Sequence, residues 1–278
     1  MKNWKFPPKD LHVAKYVECY WLLEKEQYDV GNDYPKLNPD PSAHLILSST
    51  HQQYRYDQGF IYQKGKGNHW IFPHRKTFVM DHSSPFLVIG IKFRVGALYS
   101  LNNSYSHTKL NKIEMVDIKK LTGADSFNVD AQLSKVVQSP QVVCDRLDHL
   151  LRPWLCNSND DKYSELVRHV IPLLNNTPIA QIGSVLHCSQ RTVERNFLKV
   201  TGFTLKQCQS MIRLEAILDY LYRLESGDIN WVDVATKFGF SDQPHLIRYL
   251  KNTIGTTPGE YTRQRDFAID IYGRFEFN

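Results

Sequence analysis

Hydrophobic positions change their period about halfway along the chain. In the first half, short runs rich in Ile, Val, Leu and Phe, His44–Leu47 (HLIL) and Phe86–Val95 (FLVIGIKFRV), stand between the turn-forming clusters Asn38–Pro41, Gly65–Asn68 and Ser83–Pro85. Tyr54–Tyr62 alternates aromatic and polar residues around Gly59. Short strands punctuated in this way predict a sandwich or barrel. From about Leu98 to Leu155 the spacing turns helical, as at Leu147, Leu150, Leu151 and Trp154. The polar, acidic stretch 157–162 (NSNDDK) reads as a linker.

Beyond it, periodicity predicts only helices. Leu166, Val167, Val170, Ile171 and Leu174 share one face, and Thr177-Pro178 reads as a helix start. His187-Cys188-Ser189 is a tight break, with Ser189 placed to cap a helix that buries Val193, Phe197 and Val200 and stops at Gly202. A longer helix runs from Thr204 to about Glu225, and a short one covers Trp231–Phe238. A second break, Gly239-Phe240-Ser241, precedes Asp242 and a helix burying Leu246 and Leu250. Thr257-Pro258-Gly259-Glu260 is a capping box.

These helices contain a repeat. Ile182-Gly183 corresponds to Val234-Ala235. After the break, Ser189, Val193, Arg195, Phe197 and Gly202 correspond to Asp242, Leu246, Arg248, Leu250 and Gly255. A short helix, a tight turn and a second helix with a polar outer face is helix-turn-helix grammar, twice over. The connecting helix of about 22 residues would span about 33 Å, close to the roughly 34 Å turn of B-DNA. The inward residues leave Arg191, Glu194, Arg195 and Lys199 outward on the first recognition helix, and Gln243, His245, Arg248 and Lys251 on the second. Arginine can take guanine O6/N7 bidentately, glutamate can accept from cytosine N4, glutamine suits adenine, and lysine suits phosphate.

Bulk charge alone would miss this. The net charge is +5, yet residues 160–278 carry 14 Lys+Arg against 14 Asp+Glu. The basic side chains concentrate locally, at Arg191, Arg195, Lys199, Lys206 and Arg213, against Glu194 alone within 189–213.

The stretch from Tyr163 to Arg265, about a third of the chain, resembles the AraC/XylS family of bacterial transcription regulators. Its strongest part begins at Ala235 and reads GFSDQPHLIRYLKNTIGTTPGEYTR from Gly239. The family signature there is G-F-S-D/S-Q-S-H-F-x-R-x-F-K-x-x-x-G-x-T-P-x-x-Y-R. The first copy, CSQRTVERNFLKVTGFT, is similar to the family's S-x-R-x-L-x-R-x-F-K-x-x-x-G-x-S/T-P. Pro244, Leu205, Cys208 and Leu198 depart from the pattern, which reads as altered specificity. The resemblance implies an α+β chain: a cupin-like, β-rich sensor or dimerisation domain over 1–125, a helical segment and linker over 126–159, a tandem helix-turn-helix domain over 160–265, and a tail over 266–278. It also implies a cytoplasmic, non-enzymatic, sequence-specific DNA-binding regulator. Its partners would be double-stranded DNA, RNA polymerase, a small-molecule effector and a second copy joined through the N-terminal domain.

Other chemistry finds less support. His44, His51, His69, His74 and His82 lie close in sequence, but no H-x-H pair of a catalytic cupin occurs. No metal and no cofactor are therefore expected, although a cupin-type metalloenzyme with a DNA-binding tail remains an alternative, as does a helical adaptor for an acidic protein. The five cysteines are scattered, without a C-x-x-C pair, as in a reducing compartment. Tyr54, Tyr56, Phe60, Tyr62, Trp70 and Phe72 read as core, with an apolar pocket as the functional alternative. No apolar run is long enough for a membrane span, and MKNWKFPPKD has no apolar segment of a secretory signal. The tail FAIDIYGRFEFN is apolar enough to dock on the body.

Overall fold

The computed structural model describes residues 2–29, 32–59, 61–101, 109–224, 229–255 and 257. Phe60, most of the predicted Thr257–Glu260 capping box and the tail 266–278 lie outside the described residues. The chain is α+β, with a β-rich first half and a helical second half.

Among the described residues, ten strands run in chain order: β1 Lys2–Phe6, β2 Val17–Lys25, β3 Lys36–Leu37, β4 His44–Ser48, β5 Gln53–Gln58, β6 Ile61–Lys66, β7 His69–Ile71, β8 Phe78–Met80, β9 Phe86–Phe93 and β10 Ile113–Met115. They form a six-stranded sheet, β1-β2-β9-β4-β7-β10, facing a four-stranded sheet, β3-β8-β5-β6. Gly59, at φ +65, turns β5 into β6, so the alternating stretch predicted around it is a hairpin.

Strand alternation divides the large sheet between two cores. On one face Tyr20, Leu22, Leu45, Leu47, Ile89 and Ile91 pack against helices. On the other, Trp21, Leu23, Ile46 and Ile71 meet Tyr56, Phe78 and Met80 of the small sheet. The helices of the first core are α1 Leu11–Ala14, α2 Ala97–Leu101, α3 Ile118–Thr122, α4 Val129–Val136 and α5 Pro140–Cys156. Asp148 of α5 takes the Tyr20 hydroxyl at 2.6 Å and the backbone N–H of Lys9 and Asp10, which ties α5 to the sheet.

Trp21 pairs with Gly90 across β2 and β9, and its indole lies where a Gly90 side chain would be. A Cβ at Gly90 would sit 1.8 Å from Trp21 Cε2. Trp21 is fully buried and rigid, so Gly90→Ala is expected to cost about 1–3 kcal/mol. Urea unfolding of the variant beside the parent chain measures it; an unchanged midpoint would refute the close approach.

Two histidines of this region, His44 and His69, are spent on structure. His44 accepts the Trp21 indole N–H at Nδ1 and donates from Nε2 to Asp40 at 2.9 Å. His69 Nδ1 donates to the Gly67 carbonyl, which leaves Nε2 to accept the Tyr56 hydroxyl, both at 2.9 Å. Burial lowers the His69 pKa to about 4. An unfolded histidine takes up its proton near pH 6.5. The unfolded chain thus binds more protons between those values, and stability falls as the pH drops from about 6.5 to about 4. Urea unfolding across that window should show the loss, and His69→Gln should remove its share while leaving that of His82, which burial likewise lowers to about 4.

Candidate nucleic-acid interface

The helical half comprises α6 Lys162–Leu173, α7 Ile182–Val185, α8 Gln190–Thr201, α9 Leu205–Arg223, α10 Trp231–Lys237 and α11 Gln243–Ile254. Asp161 opens α6 with a capping box that uses Ser164. The expected helix start at Thr177-Pro178 is displaced. Pro178 is extended at ψ 131, a short 3-10 turn follows over Ile179–Gln181, and α7 begins only at Ile182.

The repeat is reproduced bond by bond. The N–H of Cys188 donates to the Gly183 carbonyl, and the N–H of Phe240 to the Ala235 carbonyl, both at 2.9 Å. Both turns pass through a left-handed residue at the same place, His187 at φ 52 and Gly239 at φ 71. Glycine adopts this conformation freely, whereas the histidine adopts it against its preference. Ser189 then caps α8 through Thr192, and Asp242 caps α11 through His245. Ser241 is the one extra residue of the second turn, which shifts the repeat by one. Gly202 and Gly255, at φ 75 and 69, close the two helices. Pro244 lies in the first turn of α11, where its missing N–H costs no helical bond.

Each module has its own core. Val193, Phe197 and Val200 of α8 pack with Val167, Val170 and Ile182, and Leu246, Leu250 and Ile254 of α11 pack with Leu214, Leu218 and Val234. On α8, Arg191, Glu194 and Arg195 are exposed on the outer side, and Gln190 orders Glu194. Its amide oxygen accepts the Gly183 N–H at 3.0 Å, while its NH₂ donates to Glu194 at 2.9 Å. Lys199 lies apart from that group, with its ammonium 3.9 Å from the centroid of the Tyr163 ring. On α11, His245, Arg248 and Lys251 are exposed and Gln243 is half-buried. His245 is held by Ser241 Oγ at 3.2 Å and sits edge-on to Phe240.

Leu198, which the sequence marks only as a departure from the family pattern, is 47% exposed on α8 one turn beyond Arg195. An apolar residue in a helix reads as core unless its angular position is weighed.

Residues 182–264 match the family described as Helix-turn-helix domain, and residues 5–112 match a domain of unknown function (DUF6597). HTH-type transcriptional regulator RipA of Corynebacterium diphtheriae is 30% identical over 93 residues, which cover 34% of this chain and 27% of that protein. The chain thus spans about a quarter of the length of this curated relative. The C-terminal helix-turn-helix domain is of the AraC/XylS type. An apo form of ToxT from Vibrio cholerae strain SCE256 has a similar fold, with a TM-score of 0.50 at 11% identity over 88% of this chain and 97% of that one. The C-terminal domain of AraT, a response regulator from Geobacillus stearothermophilus, aligns over 40% of this chain and 93% of its own, at 19% identity and a TM-score of 0.34.

The AraC/XylS-type domain is attached to the sheets unequally. Val95, Tyr99 and Leu110 of the β-rich half pack into the core of the first module. Gly96 makes room there, since a Cβ would be 3.0 Å from Val200 and 3.2 Å from Val167. Arg75 donates to the Gly202 carbonyl and lies over the Phe203 ring. The core of the second module contains no residue from the sheets among those described.

An ion cluster joins β9 to α9, the helix shared by both modules. Lys92 is buried, with its ammonium 2.5 Å from Glu215 of α9 and 3.4 Å from Glu18 of β2. Burial alone would lower its pKa, but the carboxylates of Glu215, Glu18 and Asp40 hold it well above the ordinary lysine value. Lys92 therefore stays charged.

Proposed function

We propose that this chain is a transcription regulator that binds double-stranded DNA through both modules and is governed by an effector held in the β-rich half. The observation that carries this reading is the duplicated turn, bonded and capped alike in both copies, which sets arginines on the outer sides of α8 and α11. In this reading α8 and α11 enter successive major-groove segments, as recognition helices do. The 19 residues of α9 rise about 28 Å, somewhat less than one turn of B-DNA. Arg191, Arg195 and Arg248 take guanine edges, and Glu194, ordered by Gln190, accepts from cytosine. Leu198 offers an apolar contact to a thymine methyl. Gln243 and His245 reach bases at the start of α11, while Lys251 and Lys199 serve phosphates. The functional units are the sensor over 1–125, the helical segment over 126–159 and the DNA-binding domain over 160–265. RNA polymerase and a second copy of the chain complete the set of partners.

Selection from a random duplex pool, with the full chain at near-physiological salt, tests the proposal. Two half-sites about one turn apart are expected. A single half-site would restrict base reading to one module. No enrichment, with binding that vanishes as salt rises, would overturn the sequence-specific reading.

A further inference from the structure

The two sheets of the β-rich half are closed unequally. Toward one end, Trp21 fills the space over Gly90. Toward the other, the residues that face between the sheets are smaller, and a cleft of about 1070 Å³ opens. Leu23, Ile46, Met80, Phe86 and Val88 give it an apolar lining. Tyr54 lies against His69, with ring centroids 3.8 Å apart, and His82 lies tilted against Phe86 at 4.3 Å. The cleft therefore offers π-faces from both sheets. It is comparable to the upper end of small-molecule sites, roughly 300–1,000 Å³.

The polar groups of the cleft restrict the ligand further. His69 has both nitrogens engaged and presents only its ring. Two polar atoms remain unspent: Ser48 Oγ and His82 Nδ1 are both buried without a hydrogen-bond partner. Ser48 is only 1% exposed, and alternation along β4 puts it on the face of Ile46, toward the cleft. Buried polar atoms normally find partners, so an orphan hydroxyl in an open cleft marks a place for one. The charged groups around the cleft are largely committed elsewhere. Arg55 pairs with Asp57 and Asp81 accepts from Ser83, while Lys64 and Lys66 of β6 are exposed to water.

We propose that this cleft is the effector site and that its ligand is an uncharged, hydroxylated aromatic molecule, stacked between Tyr54 and Phe86 with its hydroxyl on Ser48. The proposal rests on the reading of the chain as an effector-governed regulator, but its test needs no DNA. The full chain is titrated with 2-naphthol by calorimetry, with 2-naphthoate as the charged counterpart. One saturable 2-naphthol site per chain is expected, with 2-naphthoate at least about tenfold weaker, because a hydrogen bond from one neutral hydroxyl does not offset the water that an ionised carboxylate loses on entering the cleft. Ser48→Ala should weaken 2-naphthol about three- to tenfold, the worth of one neutral hydrogen bond. The same variant should unfold at slightly higher temperature when ligand-free, because it removes an unsatisfied buried hydroxyl. Val88→Phe, which fills the cleft, should abolish binding while circular dichroism stays that of the parent. No saturable binding of 2-naphthol, tighter binding of 2-naphthoate, or binding indifferent to both variants would each overturn the proposal. A failed duplex selection with intact 2-naphthol binding would count against DNA recognition alone.

Discussion

Lys92→Met lowers the stability of the chain by about 2–4 kcal/mol. The lysine is buried and holds Glu215 and Glu18 in place, and removing one partner of a fully buried pair costs about 3–5 kcal/mol. The lower figure reflects the carboxylates left behind, whose side chains keep 40% and 36% of their exposure and so regain part of their water. Methionine preserves most of the volume, so the loss is electrostatic more than a matter of cavity. A double-mutant cycle with Glu215→Gln separates the pair from its surroundings. The double variant should recover part of the loss, because its amide no longer needs an ammonium. If Lys92→Met unfolds at the parent's urea midpoint, the pair contributes nothing and the sheet is joined to α9 by packing alone.

Loss of both outer arginines of α8 should have the largest effect on DNA. A bidentate arginine–guanine contact discriminates by about 1–3 kcal/mol. The paired variant Arg191→Ala, Arg195→Ala should therefore forfeit about 2–6 kcal/mol on the selected sequence, with preference relaxed at two positions. The residues lie one helical turn apart, so the single variants need not sum to the pair. The salt slope should change little. Equal weakening on every duplex, with a shallower salt slope, would instead make both arginines phosphate contacts. Neither arginine makes an ion pair among the described residues, so the folded state should lose little stability. Denaturation of the variant checks that the effect lies in recognition.

The helical half was far more legible in the sequence than the sheets. Caps, breaks and terminal glycines each have a local signature, and Ser189, Gly202, Asp242 and Gly255 do in the structure what their types suggest. The strand β2 left no such trace. VECYWLLEK is buried on both faces, so it lacks the alternation of a half-buried strand and is short enough to pass for a helix segment. Strands of two or three residues, such as β3, β7, β8 and β10, are too short to show any period. Lys92 was invisible as a contact for another reason. A lysine within FLVIGIKF is a plain anomaly until the fold brings Glu215, more than a hundred residues away, to its ammonium. The orphan Ser48 hydroxyl is likewise a property of the space between two sheets, not of any neighbour in sequence.

The unequal attachment of the two modules bears on how portable this DNA-binding domain is. The first module completes its core with Val95, Tyr99 and Leu110, which belong to the other half of the chain. A fragment cut at residue 160 would carry that unfinished apolar surface into solvent. Grafted onto a foreign sensor it would aggregate or seek a substitute cover, whereas the second module would keep its apolar core. Fusions that aim to exchange sensors should therefore keep the native partner of the first module and cut the chain elsewhere.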